Sequence, residues 1–308
     1  MCARRRFCEQ GWHDMEKMQV GLIGLGAMGR GVAANLLQKG YDVVAYDVRP
    51  EAAACVTEQG GHFAQDLGQL AQQVKIFISF VVDSAQTEGV LYGKNGLVGQ
   101  TQPGSIFIAC STMAPAYVKD LGRRLKAEGI ALIDAPVTGG AVGAAKGSLT
   151  IMAAGEPDVF ARVKPVLETF GKRVYHLGKE PGAGAQMKVI NQLLCGVHLT
   201  AAGEALALAK RQGLPLDMTL EILTSGSAGS WMLNDRGPRM VVGTHDDVTS
   251  AVDIFVKDLS LVLDATRESR FPASLAHAAY LAFLETTARG LGKLDDSAVM
   301  THYAPAGK

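Results

Sequence analysis

The chain has 308 residues, 48% of them hydrophobic and 19% charged, and its 30 basic residues balance its 30 acidic ones. This length favours about two domains with real cores, and the neutral balance gives no electrostatic reason to bind nucleic acid or an anionic membrane. The cysteines are odd in number and widely spaced, which argues against a disulfide framework or a zinc site and favours the reducing cytoplasm: Cys2, Cys8, Cys55, Cys110 and Cys195.

Residues 1–17 differ in character from the rest of the chain. We expect them to be disordered, or to be a cloning-derived or alternative-start extension with Met15 or Met18 as the natural beginning. The arginines at positions 4 to 6 are followed by no apolar segment, so the pattern is not that of a secretory signal. No later stretch reaches the roughly 18 uninterrupted apolar residues of a membrane span.

From Met18 to about residue 182, short apolar runs alternate with longer amphipathic segments, such as residues 29–39 and 115–128. The runs are bounded by turn residues, which is typical of buried strands. Strand–helix alternation predicts an α/β fold that begins with a Rossmann-type, doubly wound, mostly parallel sheet. The predicted strands cover residues 20–23, 43–46, 76–82, 105–109, 131–135, 149–153 and 173–176.

The first strand runs directly into a G-x-G-x-x-G pattern. In such a fingerprint Gly24 permits a tight turn, Gly26 lets the backbone approach a pyrophosphate, and Gly29 lets the following helix pack close to the strand. The N–H groups at the start of that helix favour phosphate oxygens. We therefore expect the whole turn to contact a dinucleotide, through Gly24, Leu25, Gly26, Ala27, Met28 and Gly29.

Asp47 ends the second predicted strand, 18 residues beyond Gly29. That spacing is expected of a carboxylate that accepts hydrogen bonds from the ribose hydroxyls of a dinucleotide. A carboxylate there repels a 2′-phosphate, so NAD is the predicted cofactor, although Arg49 makes the choice less strict. The alternative is an ordinary strand–turn–helix unit with a solvated aspartate.

Beyond Gly184 every predicted element is a helix. The first, over residues 186–212, is about seven turns long, and further helices are predicted over 216–224, 253–269 and 272–288. We expect an NAD-binding domain over residues 18–182 and an all-α C-terminal domain for substrate binding and oligomerisation over 183–308. A long apolar helix must be packed against other elements on several sides, and a second subunit can supply part of that packing. A homodimer or homotetramer is therefore predicted.

Three later motifs accompany the fingerprint: DAPVTGG at residues 134–140, GAGAQMK at 182–188, and FVKDL at 255–259. Together they resemble the β-hydroxyacid dehydrogenase family, with motifs in the same order over nearly the whole chain from about Met18 to Tyr303. The resemblance implies oxidation of a small hydroxycarboxylic acid by NAD, with both molecules in the cleft between the domains.

Thr138, Gly139 and Gly140 follow a predicted strand and offer a hydroxyl and bare backbone N–H groups. Such a group suits a substrate carboxylate, although a plain β-turn is the alternative. Relatives usually carry serine at the Thr138 position, so the added methyl group narrows the pocket here.

Lys188 opens the long helix on an apolar face. A partly dry cleft lowers the pKa of an amine, which then exchanges a proton with a substrate hydroxyl while hydride passes to nicotinamide. A surface lysine is the alternative, and the resemblance implies the catalytic role.

The family pattern has asparagine four residues after Lys188. Here Gln192 fills that position and Asn191 stands at three, so either amide can anchor the substrate or the lysine.

The resemblance implies further roles along the cleft. Lys257 reaches the nicotinamide side of the cofactor, and Asp258 helps to position Lys188 beside the substrate. An exposed pair of charges is the alternative for these two residues. Thr112 contacts the nicotinamide ribose, and Val81 and Val82 line the channel from adenosine to ribose, where relatives often have proline at the second position.

Ser230, Trp231 and Asn234 are further candidates for substrate contact from the helical domain. Strings over residues 178–198, 229–232, 250–258 and 293–299 narrow the resemblance to members that oxidise L-threonate at C2 to 2-oxotetronate. Rival substrates are 3-hydroxyisobutyrate, tartronate semialdehyde and 4-hydroxybutyrate, and an imine reductase of related fold is another alternative. The rival from another class is a non-catalytic dinucleotide sensor. No H-E-x-x-H motif or Cys/His cluster occurs, so no metal is expected.

Overall fold

The computed structural model describes residues 18–303, so the expectation for residues 1–17 lies outside the described part. A six-stranded sheet runs through the first half in the order β3-β2-β1-β4-β5-β6, and all neighbouring strands are parallel. The predicted Rossmann-type sheet is thereby confirmed. Its strands are β1 (Gln19–Ile23), β2 (Asp42–Tyr46), β3 (His62–Phe63), β4 (Ile76–Ser79), β5 (Ile106–Ala109) and β6 (Ala131–Asp134).

Both faces of this sheet are covered, which explains why its strands are continuous apolar runs. Successive side chains of a strand point to opposite faces. On β4, Ile76 and Ile78 pack into one apolar cluster and Phe77 into the other. The helices of this half of the chain are α1 (Ala27–Gln38), α2 (Ala54–Thr57), α3 (Leu67–Gln73), α4 (Ser84–Tyr92), α5 (Pro115–Ala127), α6 (Gly140–Ala145) and α7 (Pro157–Phe170).

A second, three-stranded sheet follows the first. It consists of β7 (Val137–Thr138), β8 (Leu149–Ala153) and β9 (Gly171–His176), with β7 antiparallel and β9 parallel to β8. The predicted strands therefore divide between two sheets, which periodicity alone does not distinguish. Asp134, the last residue of β6, forms an isolated bridge to Ala154 just after β8, so the two sheets are joined at the place where the first one ends.

Five helices make up most of the second half: α8 (Ala183–Arg211), α9 (Leu216–Ser225), α10 (Trp231–Val242), α11 (Val252–Glu268) and α12 (Ser274–Thr286). The long α8 packs against α10, α11 and α12, and their apolar side chains form a separate core. Helix α10 was not among the predicted helices. It contains Gly237 and Pro238, residues that ordinarily end a helix.

Among the described residues, α8 alone is long and apolar enough to cross a membrane by the criteria of length and composition. The central helix of a soluble protein meets the same criteria, and half of the most apolar stretch of α8 is buried inside the protein. Lys188 lies in the buried part of this helix. We therefore describe α8 as the core helix of the second half.

Candidate active site

The turn after β1 contains three glycines, and each position lacks a side chain for a different reason. Gly24 has a φ of +92°, which only glycine adopts readily, and a Cβ on Gly29 would lie 1.9 Å from the Gly24 carbonyl oxygen. A Cβ on Gly26, by contrast, would meet nothing within 4 Å. Neither backbone strain nor packing inside the protein requires glycine there, so the open space beside Gly26 fits the close approach of a dinucleotide pyrophosphate.

Helix α1 begins immediately after this turn. Its N-cap residue, Gly26, offers no side chain to the free N–H groups, and no acidic residue lies in the first turn. Such a helix start favours an anion. The buried side chain of Leu25 and the partly buried side chain of Met28 pack into the core, and Ala27 is exposed. These three residues can therefore meet a cofactor mainly through their backbone.

Asp47 lies at the end of β2, next to the glycine turn. Its carboxylate accepts hydrogen bonds from Leu25 N at 2.7 Å, and from the Arg49 backbone N, Nε and Nη2 at 2.9, 2.9 and 3.0 Å. Burial raises the pKa of Asp47, but the hydrogen bonds from Arg49 and Leu25 outweigh burial and hold that pKa below its ordinary value. Asp47 is therefore a carboxylate at neutral pH, with an exposed guanidinium beside it.

Val81, Val82 and Thr112 lie just beyond the carboxyl ends of β4 and β5. The Ser111 hydroxyl donates to the Val81 carbonyl at 2.6 Å, which holds the two loops together. Strand order reverses between β1 and β4, and dinucleotides bind at such a crevice in doubly wound sheets. The structure thus brings these three residues to the same sheet edge as the glycine turn.

The Thr138-Gly139-Gly140 segment follows at the end of β7. Gly139 and Gly140 have φ values of +124° and +62°, and helix α6 begins at Gly140. Two consecutive positive φ values explain the glycine pair, because residues with a Cβ rarely adopt them. Thr138 faces a cavity whose other wall is α8.

Asp134 was part of a predicted motif, but its role was missed. This buried carboxylate accepts hydrogen bonds from Gly182 N at 2.8 Å and Ala185 N at 2.9 Å, so it caps the start of α8 from the end of β6. A Cβ on Gly184 would lie 2.4 Å from the Met152 carbonyl oxygen, which shows how closely α8 meets this edge. The only signal in the sequence was an aspartate at a strand end and a glycine-rich helix start.

Lys188 lies one turn into α8 and is buried, with 7% of its surface exposed. Its Nζ donates to Gln192 Oε1 at 2.8 Å. Burial lowers the pKa of this amine below its ordinary value, and the nearby Asp258 carboxylate only partly offsets that effect. A buried amine with a lowered pKa has the properties required of a general acid–base group.

Helix α11 brings Lys257 and Asp258 to the same place. Lys257 Nζ donates to Asp258 Oδ1 at 2.7 Å and to the Thr112 carbonyl oxygen at 3.0 Å. Asp258 Oδ2 accepts from Gln192 Nε2 at 2.6 Å. Asp258 therefore reaches Lys188 through Gln192, and Lys257 links the helical half to the end of β5.

A cavity of about 260 Å³ lies between β7, α8 and α10. Of the three candidates from the helical half, Trp231 lines it, whereas Ser230 caps α10 by accepting a hydrogen bond from Leu233 N and Asn234 is exposed. Cys195 and His198 were missed, although they follow Asn191 by four and seven residues and so share its face of the helix. The lining residues are Thr138, Met187, Ile190, Asn191, Leu194, Cys195, His198, Trp231 and Met232.

The chain matches two known protein families. Residues 19–178 match the NAD-binding domain of 6-phosphogluconate dehydrogenase, and residues 182–303 match the family described as the NAD-binding domain of NADP-dependent 3-hydroxyisobutyrate dehydrogenase. The first match contains the glycine turn and Thr138, and the second contains Lys188, Lys257 and Asp258. The two matches together cover both walls of the cavity beside Thr138.

Full-length relatives are similar over almost the whole chain. An L-threonate dehydrogenase of Cupriavidus necator is 43% identical over 91% of this chain and 94% of its own length. The L-threonate dehydrogenase of Escherichia coli strain K12 is 40% identical over 92% and 94%. A crystal structure described as 3-hydroxyisobutyrate dehydrogenase of Salmonella typhimurium is 40% identical and covers 92% of this chain and 99% of its own, with a TM-score of 0.88.

Proposed function

The chain belongs to the β-hydroxyacid dehydrogenase family, and we propose that it oxidises L-threonate at C2 to 2-oxotetronate with NAD. The general class is established by the family: the protein is a hydroxyacid dehydrogenase that uses a nicotinamide dinucleotide. The observation that carries the substrate is the 38–43% identity to L-threonate dehydrogenases of five bacterial strains.

We assign the dinucleotide to the crevice at the carboxyl ends of the first sheet. Gly24 to Gly29 hold the pyrophosphate, and Asp47 accepts from the adenosine ribose. Val81, Val82, Thr112 and Lys257 line the path toward the nicotinamide. When bound, NAD supplies the hydride acceptor for the hydrogen on C2.

The substrate carboxylate is held by Thr138 and the backbone N–H groups of Gly139 and Gly140. Lys188, as the neutral amine, takes the proton of the C2 hydroxyl while the C2 hydrogen leaves as hydride, so that a C2 carbonyl forms. Burial supports this role because it lowers the pKa of Lys188 and so increases the neutral fraction. Asn191, Gln192 and Asp258 surround the amine and supply the polar contacts that orient it and the substrate.

NAD is the proposed cofactor in preference to NADP. The Asp47 carboxylate stays charged at neutral pH and would repel a 2′-phosphate. The exposed Arg49 guanidinium is already engaged with that carboxylate through two hydrogen bonds. Activity with NADP is expected to be no more than residual, because Arg49 would have to leave Asp47 to meet the phosphate.

The cavity wall favours a hydroxylated substrate tail. Asn191, Cys195 and His198 line it with polar atoms beyond Thr138, and burial raises the pKa of the Cys195 thiol, which therefore stays neutral. A neutral thiol, an amide and an imidazole offer hydrogen bonds to the C3 and C4 hydroxyls of L-threonate. The second candidate is 3-hydroxyisobutyrate, which is favoured by the name of the similar Salmonella typhimurium structure.

Assembly and location are proposed from the same features. Apolar side chains of α8 and α9 away from the cavity are more than half exposed, which favours a homodimer or homotetramer that covers them: Leu208, Met218 and Ile222. The cytoplasm is the proposed location, in keeping with the free thiols of the described cysteines.

The test is a kinetic panel of L-threonate, 3-hydroxyisobutyrate, tartronate semialdehyde and 4-hydroxybutyrate, each with the appropriate redox form of NAD and of NADP. L-Threonate with NAD should give the highest kcat/KM. Turnover of 3-hydroxyisobutyrate with none of L-threonate would overturn the substrate proposal.

The catalytic role of Lys188 has its own test. Lys188→Ala should lose nearly all turnover and still bind NAD, whereas full activity of that variant would show that Lys188 is not catalytic. Nucleotide binding without turnover of any acid would favour a sensor.

A further inference from the structure

The amide of Gln192 lies between two charged groups of the proposed site. Lys188 Nζ donates to its Oε1 at 2.8 Å, and its Nε2 donates to Asp258 Oδ2 at 2.6 Å. The three residues expose only 7%, 6% and 3% of their surface, in the order lysine, glutamine and aspartate. The amine and the carboxylate are therefore joined through a neutral side chain where water has little access.

Only one orientation of the Gln192 amide satisfies both neighbours. An ammonium group carries only donors and a carboxylate only acceptors, whereas an amide has an accepting oxygen and a donating NH2 group. A half-turn of the amide would bring NH2 against the ammonium of Lys188 and oxygen against the carboxylate of Asp258. The two charged groups thus fix the amide, and the amide in turn fixes the position of Lys188 Nζ.

Asp258 already has a cation of its own, since Lys257 Nζ donates to its other oxygen at 2.7 Å. A direct ion pair with Lys188 would favour the charged form of the amine and raise its pKa. The neutral amide instead gives Lys188 a hydrogen-bond acceptor without placing a full negative charge against it. The amine is positioned, and it keeps the lowered pKa that burial imposes.

The amide of the neighbouring residue, Asn191, faces the cavity. Asn191 is half-buried and lines the cavity together with Thr138. Its Nδ2 donates to Gln192 Oε1 at 2.8 Å and to Cys195 Sγ at 3.3 Å. Within residues 18–303 no hydrogen bond reaches Asn191 Oδ1, so this oxygen is available to accept from a substrate hydroxyl.

We propose that Gln192 is a positioning residue that connects Lys188 to Asp258, and that Asn191 makes the amide contact with the substrate. This inference rests on the proposed function, because it takes Lys188 as the acid–base group. The family pattern places asparagine four residues after the lysine. Here the longer glutamine occupies that position and spans the distance to Asp258 on α11, while the shorter amide stands one residue earlier, on the cavity side.

The test compares pH profiles of kcat for L-threonate oxidation by NAD. In Gln192→Met, which keeps the length of the side chain and loses the amide, kcat should fall about 10- to 100-fold, the cost of a lost hydrogen bond to a charged group. The rising limb of the profile should move to lower pH, because the ammonium form of Lys188 has lost an acceptor. The KM for L-threonate should change less than about threefold, because the hydrogen bonds of Gln192 are to Lys188, Asn191 and Asp258 and none is proposed to the substrate.

Asn191→Leu is the matched control on the adjacent position. Its KM for L-threonate should rise about 10-fold or more, as expected for a lost binding contact, and the midpoint of its pH profile should stay at the wild-type value. Gln192→Asn retains an amide that is too short to span both partners, so its kcat should fall as in Gln192→Met. Gln192→Asn therefore tests the same prediction if Gln192→Met does not fold.

Wild-type kcat and midpoint in both Gln192 variants would overturn the positioning role. A shifted midpoint in Asn191→Leu with an unchanged KM would overturn the division of roles. Lys188→Ala separates this inference from the proposed function. If Lys188→Ala is inactive and the Gln192 variants are unaffected, only the inference fails, whereas an active Lys188→Ala refutes the proposed mechanism itself. Circular dichroism and NAD-binding titrations establish that each variant is folded.

Discussion

At the scale of single residues, the glycine turn separates two reasons for the absence of a side chain. Gly29 is required by packing, because a Cβ there would lie 1.9 Å from the Gly24 carbonyl oxygen. Gly26 has an ordinary backbone conformation, with φ at −72°, and an open space where its Cβ would lie. Only Gly26 is explained by a ligand, so substitutions at Gly26 and Gly29 together test the dinucleotide site directly.

Gly26→Ala should fold normally and bind NAD weakly. Its free energy of unfolding should change by less than about 1 kcal/mol, the usual range for a glycine–alanine exchange at a helix N-cap. Its KM for NAD should rise at least about 10-fold, equivalent to about 1.4 kcal/mol of lost binding. Urea denaturation and steady-state kinetics measure the two quantities.

Gly29→Ala is the control, and it should behave in the opposite way. Its methyl group collides with backbone that cannot move aside, so we expect a loss of stability of about 1–3 kcal/mol. Weak NAD binding by Gly29→Ala alone, with normal binding by Gly26→Ala, would contradict the proposed position of the pyrophosphate.

Single-residue predictions from the sequence depended on whether a partner lies nearby along the chain. Lys188 was predicted to lie on an apolar helix face in a partly dry cleft, and the structure places it in a buried position. Its hydrogen bond to Gln192 spans four residues of one helix. Asp134 was harder, because its partners lie about 50 residues away and no periodicity reports such a contact.

At the scale of elements, the cap on α8 is its link to the first sheet. Asp134 at the end of β6 accepts two backbone hydrogen bonds from the start of the helix that carries Lys188. Burial raises the pKa of this carboxyl to about 6, although the hydrogen bonds from Ala185 and Gly182 oppose the shift. Asp134 is thus a buried group whose charge changes close to physiological pH.

The stability of the protein should reflect this titration. Asp134 has a higher pKa folded than unfolded, so its contribution favours the folded state most at low pH and is lost as pH rises through about 6. Asp134→Asn keeps an accepting oxygen for Gly182 and Ala185 and does not titrate. Relative to that variant, the wild type should gain up to about 3 kcal/mol of stability as pH falls from 7 to 4.

Urea denaturation of both proteins at several pH values measures this difference, in which the other titrating groups cancel. A difference that stays constant would show that Asp134 has an ordinary pKa in the folded protein, and one that shrinks as pH falls would show that its pKa is lowered; either result contradicts the prediction.

Helices and strands could be predicted from the sequence where their own residues, and not distant contacts, determine the local structure. Strands β1, β2, β4, β5 and β6 are short, largely buried apolar runs, and periodicity finds such runs. Strand β3 was not predicted, because it has only two residues and His62 is exposed. Helix α10 was missed because Gly237 and Pro238 lie inside it. Contacts distant in the chain hold it in place, including the buried pair of Arg236 and Asp296, whose Nε–Oδ1 distance is 2.8 Å. Strand β7 has two residues, too few for any periodic pattern.

At the scale of the whole molecule, the candidate site needs both halves of the chain. Thr138 comes from the second sheet, Lys188 from α8, and Lys257 from α11. The resemblance to the family implied that these residues would meet in one cleft. The sequence could not show that Gln192 stands between Lys188 and Asp258, because that contact depends on how α8 and α11 pack.

Lys257 is the residue that connects the helical half to the cofactor crevice, through its bond to the Thr112 carbonyl oxygen. Lys257→Met keeps the apolar stem and removes the charge. We expect its KM for NAD to rise about 10-fold or more, as for other lost hydrogen bonds to a charged group. The removed charge also repels the ammonium form of Lys188, so the pKa of Lys188 should rise and the rising limb of the kcat profile should move to higher pH.

Lys293→Met is the matched control, because Lys293 is also paired with an aspartate, Asp253, but its side chain is 91% exposed. It should leave both the KM for NAD and the pH midpoint at their wild-type values, since exposed pairs contribute little. The directions matter more than the sizes: Gln192→Met and Lys257→Met should move the same midpoint in opposite senses. If both variants move it toward lower pH, Lys257 does not act on Lys188 through its charge, and the link between the two halves is only structural.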